Sequence, residues 1–154
     1  DDELPYRHLS VFAEAARLSI PATVHVAFGC DITHMDPELD GAALGAATQK
    51  DFWILADSVG RLERGVVLNV GSAVIMPEVF LKAVSIARNR GQLGQDFLTA
   101  NFDMLQQYRA VTNVVQRPPK EGKSILAMHE IVLPLLHQAI VCTAQARGCL
   151  KEPR

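Results

Sequence analysis

The chain is short of several features that would assign it quickly. It has three cysteines, Cys30, Cys142 and Cys149, and no CxxC spacing, so neither a disulfide framework nor a cysteine-rich zinc fold is expected. No apolar run approaches the roughly 20 residues that span a bilayer. No Lys/Arg cluster stands out and the net charge is −2, which argues against a nucleic-acid partner. The first residues, DDELPYRHLS, are acidic and lack the basic-then-apolar order of a secretory signal. There is no internal repeat and no GxGxxG fingerprint. A soluble, cytoplasmic protein is the expectation.

What is present is apolar. Of 154 residues, 49% are hydrophobic and only 21% charged, enough for one domain with a real core. Parallel sheets buried by helices need this composition, and so does a chain that buries more surface in an oligomer.

The most informative stretch is Gly65–Arg90. A β-branched run, Val66–Val70, meets a small-residue turn, Gly71-Ser72-Ala73, and a helix reads from Pro77 to Arg90. A strand, a glycine turn and a helix N-terminus leave free backbone N–H groups for a phosphate or carboxylate, so a nucleotide-type ligand is expected.

Elsewhere, Pro5–Leu18 reads as an amphipathic helix and Thr23–Phe28 as a buried strand. Residues 29–45 read as a loop, and Thr48 with Asp51 as the start of a helix whose apolar face is Phe52, Leu55, Val59 and Leu62. Strands are expected at Asp96–Asn101, Val111–Val115 and Ile125–Met128, with a loop over RPPKEGKS. A closing helix carries Ile131, Val132, Leu135, Leu136, Ala139, Ile140 and Thr143 on one stripe, with Pro134 in its first turn or at a kink. Alternating helices and strands predict an α/β fold with a doubly wound, mostly parallel sheet and helices on both faces. So few strands leave edges to cover, so the domain is expected to be incomplete alone, completed by a homo-oligomer or a complementary N-terminal polypeptide.

Several residues could carry chemistry. Asp40-Gly41 is either a ribose-binding carboxylate beside a glycine or an ordinary Asp-Gly turn. Gly71 and Ser72 either admit a ligand to the backbone or pack the helix tightly on the strand. His34, among Asp31, Asp36 and Glu38, could move protons near neutral pH; the spacing matches no metal site, and a solvated loop is the simpler reading. His129-Glu130 is half of an HExxH motif with Leu at position 133, so zinc is not expected. Lys123 could be a nucleophile only if burial or a neighbouring cation lowered its pKa. Trp53 reads as core or interface and Cys30 as a buried, inert thiol.

In order, the landmarks resemble the C-terminal half of the deoxyhypusine synthase family over about residues 15–146. Ser19-Ile20-Pro21-Ala22-Thr23-Val24 is similar to its N-I-P-V lead into a strand, and Asp40-Gly41-Ala42-Ala43-Leu44-Gly45 to its D-G-S-L-G loop. Gly65–Ala73 resembles its glycine-rich turn, Thr99-Ala100 a Thr-Ala pair after the next strand, and Ile131–Leu136 its L-V-F-P-L-L helix. The resemblance implies a doubly wound fold of the NAD-binding type and a tetramer with NAD at a subunit interface. It also implies oxidation of spermidine and transfer of a butylamine group to a lysine of a translation factor. It places a cofactor at Asp40, Gly41, Gly71, Ser72, Thr99 and Ala100, and sets Lys123 where the family's imine-forming lysine stands. With His34 and His129, which could move a proton, Lys123 makes up the expected catalytic set.

The family's G-G-G-V-V-K-H-H is matched here by Gly71-Ser72-Ala73-Val74-Ile75-Met76-Pro77-Glu78, so its lysine and histidines are missing. Its acidic E-F-D-G-S-D-S-G stretch is absent, W-G-K shrinks to Glu121-Gly122-Lys123, and the last-helix Asp falls on Met128. The reading is a divergent relative that binds NAD or a related nucleotide, an amine-directed oxidoreductase or transferase of another substrate. The alternative is a non-catalytic subunit that keeps the fold.

Overall fold

The structure, a computed structural model, describes residues 4–149. Its elements are α1 (Val11–Arg17), α2 (Gly41–Gly60), β1 (Val66–Val70), α3 (Ile75–Asn89), β2 (Leu98–Asp103), α4 (Tyr108–Ala110) running into a π-helical segment (Val111–Gln116), β3 (Glu121–Leu126) and α5 (His129–Ala146). This is an α/β chain with a three-stranded parallel sheet in the order β1-β2-β3. It divides into two compact units: 4–62 with 82–94, and 63–81 with 95–149.

In the first unit, helices are set by side-chain caps. Ser10 Oγ accepts from Ala13 N–H at the start of α1. Asp40 Oδ1 accepts from Ala42 and Ala43 N–H at 2.9 and 3.1 Å, which starts α2. The helix therefore opens well before Thr48, because the alanine-rich run after Asp40 has high helix propensity despite its two glycines.

The expected strand Thr23–Phe28 does not form. Its Val24 and Ala27 N–H groups are taken by the carboxylates of Asp51 and Asp31 at 2.8 and 2.7 Å, so an acid stands where a neighbouring strand would. Trp53 is 43% exposed with the Arg90 guanidinium 5.1 Å from its ring centroid, which makes it a surface residue. The buried apolar side chains of this unit are Ala56, Val59, Ala83, Val84, Ala87 and Leu93.

His25 lies in the same segment, with its Nε2 2.9 Å from Thr23 Oγ1. Burial lowers its pKa from the usual 6.5, and the Asp51 carboxylate opposes this in part. The unfolded state therefore binds more protons as pH falls below 6.5. The stabilising term is complete above that value and is lost as pH drops through the folded one. Melting temperature should decline from pH 7.5 towards pH 5, and His25→Gln should flatten that decline; an unchanged slope would refute the assignment.

In the second unit, β1 pairs with β2 so that Val67, Leu68 and Asn69 lie beside Thr99, Ala100 and Asn101, and β2 pairs with β3 so that Ala100 lies beside Lys123. The buried apolar side chains are Phe80, Phe97, Phe102, Ala110 and Val114, with Phe80 and Phe97 edge-to-face at 6.5 Å. Two expectations fail here. Val111–Val115 is π-helical, because tertiary packing overrides β-branched propensity: Thr99 Oγ1 donates to Val114 C=O at 2.8 Å. Of the segment read as a loop over RPPKEGKS and a strand at Ile125–Met128, Glu121–Leu126 forms the strand β3. It starts inside the expected loop and ends two residues before Met128, and its charges suit an edge position. None of α5 is buried, and Ile131, Leu135 and Ile140 of its apolar stripe are more than half exposed.

Candidate functional site

The carboxyl ends of parallel strands are where open α/β sheets bind ligands. In the second unit β1 ends on Gly71-Ser72, β2 on Asp103, and β3 leads into His129. Gly71 and His129 meet on one carbonyl of β2. Gly71 N–H donates to Phe102 C=O at 2.9 Å, and His129 Nε2 lies 3.1 Å from the same oxygen. A carbonyl only accepts, so Nε2 carries a proton, and whenever the ring is neutral its lone pair is on Nδ1. Gly71 has φ +67°, and a Cβ there would lie 3.1 Å from His129 Cε1. The turn is glycine because the histidine ring lies against it and because φ is left-handed.

Beneath the turn lies a buried amide pair. Asn69 Nδ2 donates to Ser72 C=O at 2.9 Å and to Asn101 Oδ1 at 2.7 Å. The Ser72 carbonyl fixes which way the Asn69 amide points, and so which way Asn101 points. Asn101 is fully buried, and its Nδ2 has no partner among the described residues. Asp103, also buried, accepts from Leu105 N–H at 3.2 Å. A cavity of about 280 Å³ runs along Val67–Val70 to Ser72, Met76 and Phe80. Glu78, at the start of α3, accepts from Arg109 and, at 2.8 Å, from Asn113 Nδ2.

The residues expected from sequence distribute unevenly. Gly71, Ser72 and His129 come together at the sheet's carboxyl edge. Two of their groups are already committed: Gly71 N–H to Phe102, and Ser72 Oγ to Met76 N–H at 3.2 Å. Thr99 and Ala100 lie within β2 rather than at its end, and the Thr99 hydroxyl is spent on Val114. Lys123 lies on β3 with Nζ 2.7 Å from Glu121 Oε1. That hydrogen bond and the carboxylate's charge raise its pKa above the ordinary lysine value, so it is a protonated surface group and not a nucleophile.

Asp40 and Gly41 belong to the first unit, where Asp40 caps α2 and nothing lies within 4 Å of a Cβ on Gly41. His34 belongs there too. Its Nδ1 donates to Asp31 C=O at 3.0 Å, its ring packs 4.9 Å from Phe28, and its buried Nε2 has no partner among the described residues. Cys30 is exposed rather than buried. Among the described residues no group of His, Cys, Asp and Glu is placed to hold a metal ion.

Sequence reasoning passed over Asn69 and Asn101. The signal was present: asparagine is depleted in strands, yet each sits inside an apolar strand. Only the register shows that the two face each other. No family model matches the chain, and no curated protein or solved structure is significantly similar to it.

Proposed function

We propose that the second unit binds a small ligand at the carboxyl edge of its sheet, around Gly71, Ser72 and His129. The single observation that carries this is the His129 ring, held against a left-handed glycine with its free Nδ1 at the end of three parallel strands. By the resemblance to the deoxyhypusine synthase family, the ligand is NAD or a related nucleotide and the fold a doubly wound one. The residues fit such a ligand in part. The cavity that reaches Ser72, about 280 Å³, is lined by neither Gly71 nor His129. It is at the small end for ligand sites, so a ligand seated there and reaching His129 would be one mononucleotide half rather than a whole dinucleotide. NAD, when bound, would supply hydride transfer. His129 would accept or return a proton through Nδ1, Ser72 and Ala73 N–H would face the anionic group, and Phe80 and Met76 would exclude water. The substrate class proposed is an amine.

A second reading, a non-catalytic subunit that keeps the fold, is favoured by the ion-paired Lys123 and by Glu78, which is held by Arg109 and Asn113. Calorimetric titration of NAD and NADH separates the two. Saturable binding that weakens about 10-fold in His129→Ala, with little change in melting temperature, supports the first. A folded protein that binds neither nucleotide supports the second. Asp40→Ala is a poor probe, since losing the cap alone costs about 1 kcal/mol.

A further inference from the structure

The outer edge of β1 is open. Leu98 N–H donates to Gly65 C=O, and Gly71 N–H donates to Phe102 C=O. The odd-numbered residues of β1 thus bond to β2, and Val66, Leu68 and Val70 turn their N–H and C=O groups outward. These have no partner among the described residues. Their side chains, on one face by alternation, are 58%, 45% and 43% exposed. Edges of this kind are ordinarily blunted by lysine, proline or a bulge. Edge strand β3 follows that rule, with Glu121 and Lys123 in its run; β1, VVLNV, has no charge and no proline.

The geometry points to a second copy of this chain as the occupant, paired antiparallel through β1 about a two-fold axis at Leu68. The pattern is self-complementary in that register. Leu68 faces Leu68 of the partner subunit in a hydrogen-bonded pair, and Val66 faces Val70 of the partner subunit, so every outward N–H and C=O is satisfied. The side chains of Val66, Leu68 and Val70 form a continuous apolar band across the axis, with no charge to repel its own copy. On the opposite face Val67 comes beside Asn69 of the partner subunit, over the cavity that runs along β1. The two-fold closes on itself, so the same edge cannot propagate a filament. The interface is argued from the open edge alone and does not need the ligand proposed above, although the partner strand would border the same cavity.

Sedimentation of the full chain over the micromolar range, with amide hydrogen exchange on the same samples, tests it. The expected result is a dimer whose Val66, Leu68 and Val70 amides are protected. Leu68→Lys sets like charges opposite each other and should raise the dimer dissociation constant about 100-fold, with those amides exposed and far-UV circular dichroism unchanged. If that variant does not fold, Val66→Lys, at the most exposed of these positions, is expected to weaken the dimer in the same direction. A wild-type monomer overturns the proposal. A monomer with protected amides would show the edge covered by the same chain. A dimer that survives both substitutions in folded protein would place the interface elsewhere and equally overturn it.

Discussion

Gly122→Ala is expected to destabilise the protein by about 3 kcal/mol, lowering its melting temperature by roughly 10 °C. A Cβ on Gly122 would overlap the Val115 carbonyl oxygen and lie 2.7 Å from that residue's Cα and C. These are backbone atoms, so no side-chain rotation relieves the overlap, and β3 or the π-helical segment must move. Thr99, donating to Val114 C=O one residue away, resists that movement. Gly45→Ala is the control: nothing lies within 4 Å of its Cβ position in α2, so it should stabilise by about 0.5–1 kcal/mol. Urea denaturation of both reads the contrast. A Gly122→Ala protein as stable as the parent would mean that the π-helical segment does not lie on β3.

Asn101→Asp should cost about 3 kcal/mol at neutral pH and much less in acid. The position is fully buried; the new carboxylate could still accept from Asn69 Nδ2, but among the described residues no cation is bonded at this position, and buried Asp103 lies two residues on along the same face. Burial raises the folded-state pKa of such an acid above its unfolded value. The deficit is therefore small below about pH 4, where both states are protonated, and grows as pH rises through the folded value. Denaturation midpoints across pH measure this. A deficit that does not change with pH would mean that the carboxylate reaches solvent, and that the Asn69–Asn101 pair lines an opening rather than a sealed core.

The two variants address the two parts of the fold on which the candidate site depends. Gly122 lets the π-helical segment close over one side of the sheet, and the amide pair supports the turn at Gly71-Ser72 from below. His129 depends on the sheet as well, since its hydrogen bond to Phe102 C=O holds only if β2 and the start of α5 keep their spacing.

Local pattern was enough for the strand Val66–Val70, the glycine turn after it and the helix that follows. Each is encoded by neighbours in sequence: β-branched residues, then Gly71 with the small residues after it, then an apolar stripe at helical spacing. The strand at β2 was placed within a few residues for the same reason. The reading failed where a distant group competed for the backbone. Asp51 and Asp31 take the N–H groups that would have made Thr23–Phe28 a strand. Thr99 helps hold Val111–Val115 in a π-helical turn against its own β propensity.

The candidate site divides in the same way. Gly71, Ser72 and His129 were legible as residue types in suggestive places, whereas their mutual contact was not, because it crosses from the end of β1 to the start of α5. Lys123 lost its proposed chemistry to Glu121, two residues away on the same face of β3, a placement that the loop reading of that segment did not specify. By itself the sequence determined an α/β chain with a glycine turn after an apolar strand, since these depend on propensities within a few residues. Only the tertiary structure decided that Asn69 meets Asn101, that His129 rests on Gly71 and that Gly122 must lack a side chain. Each is a contact between strands or between a strand and a helix, set by sheet register and packing.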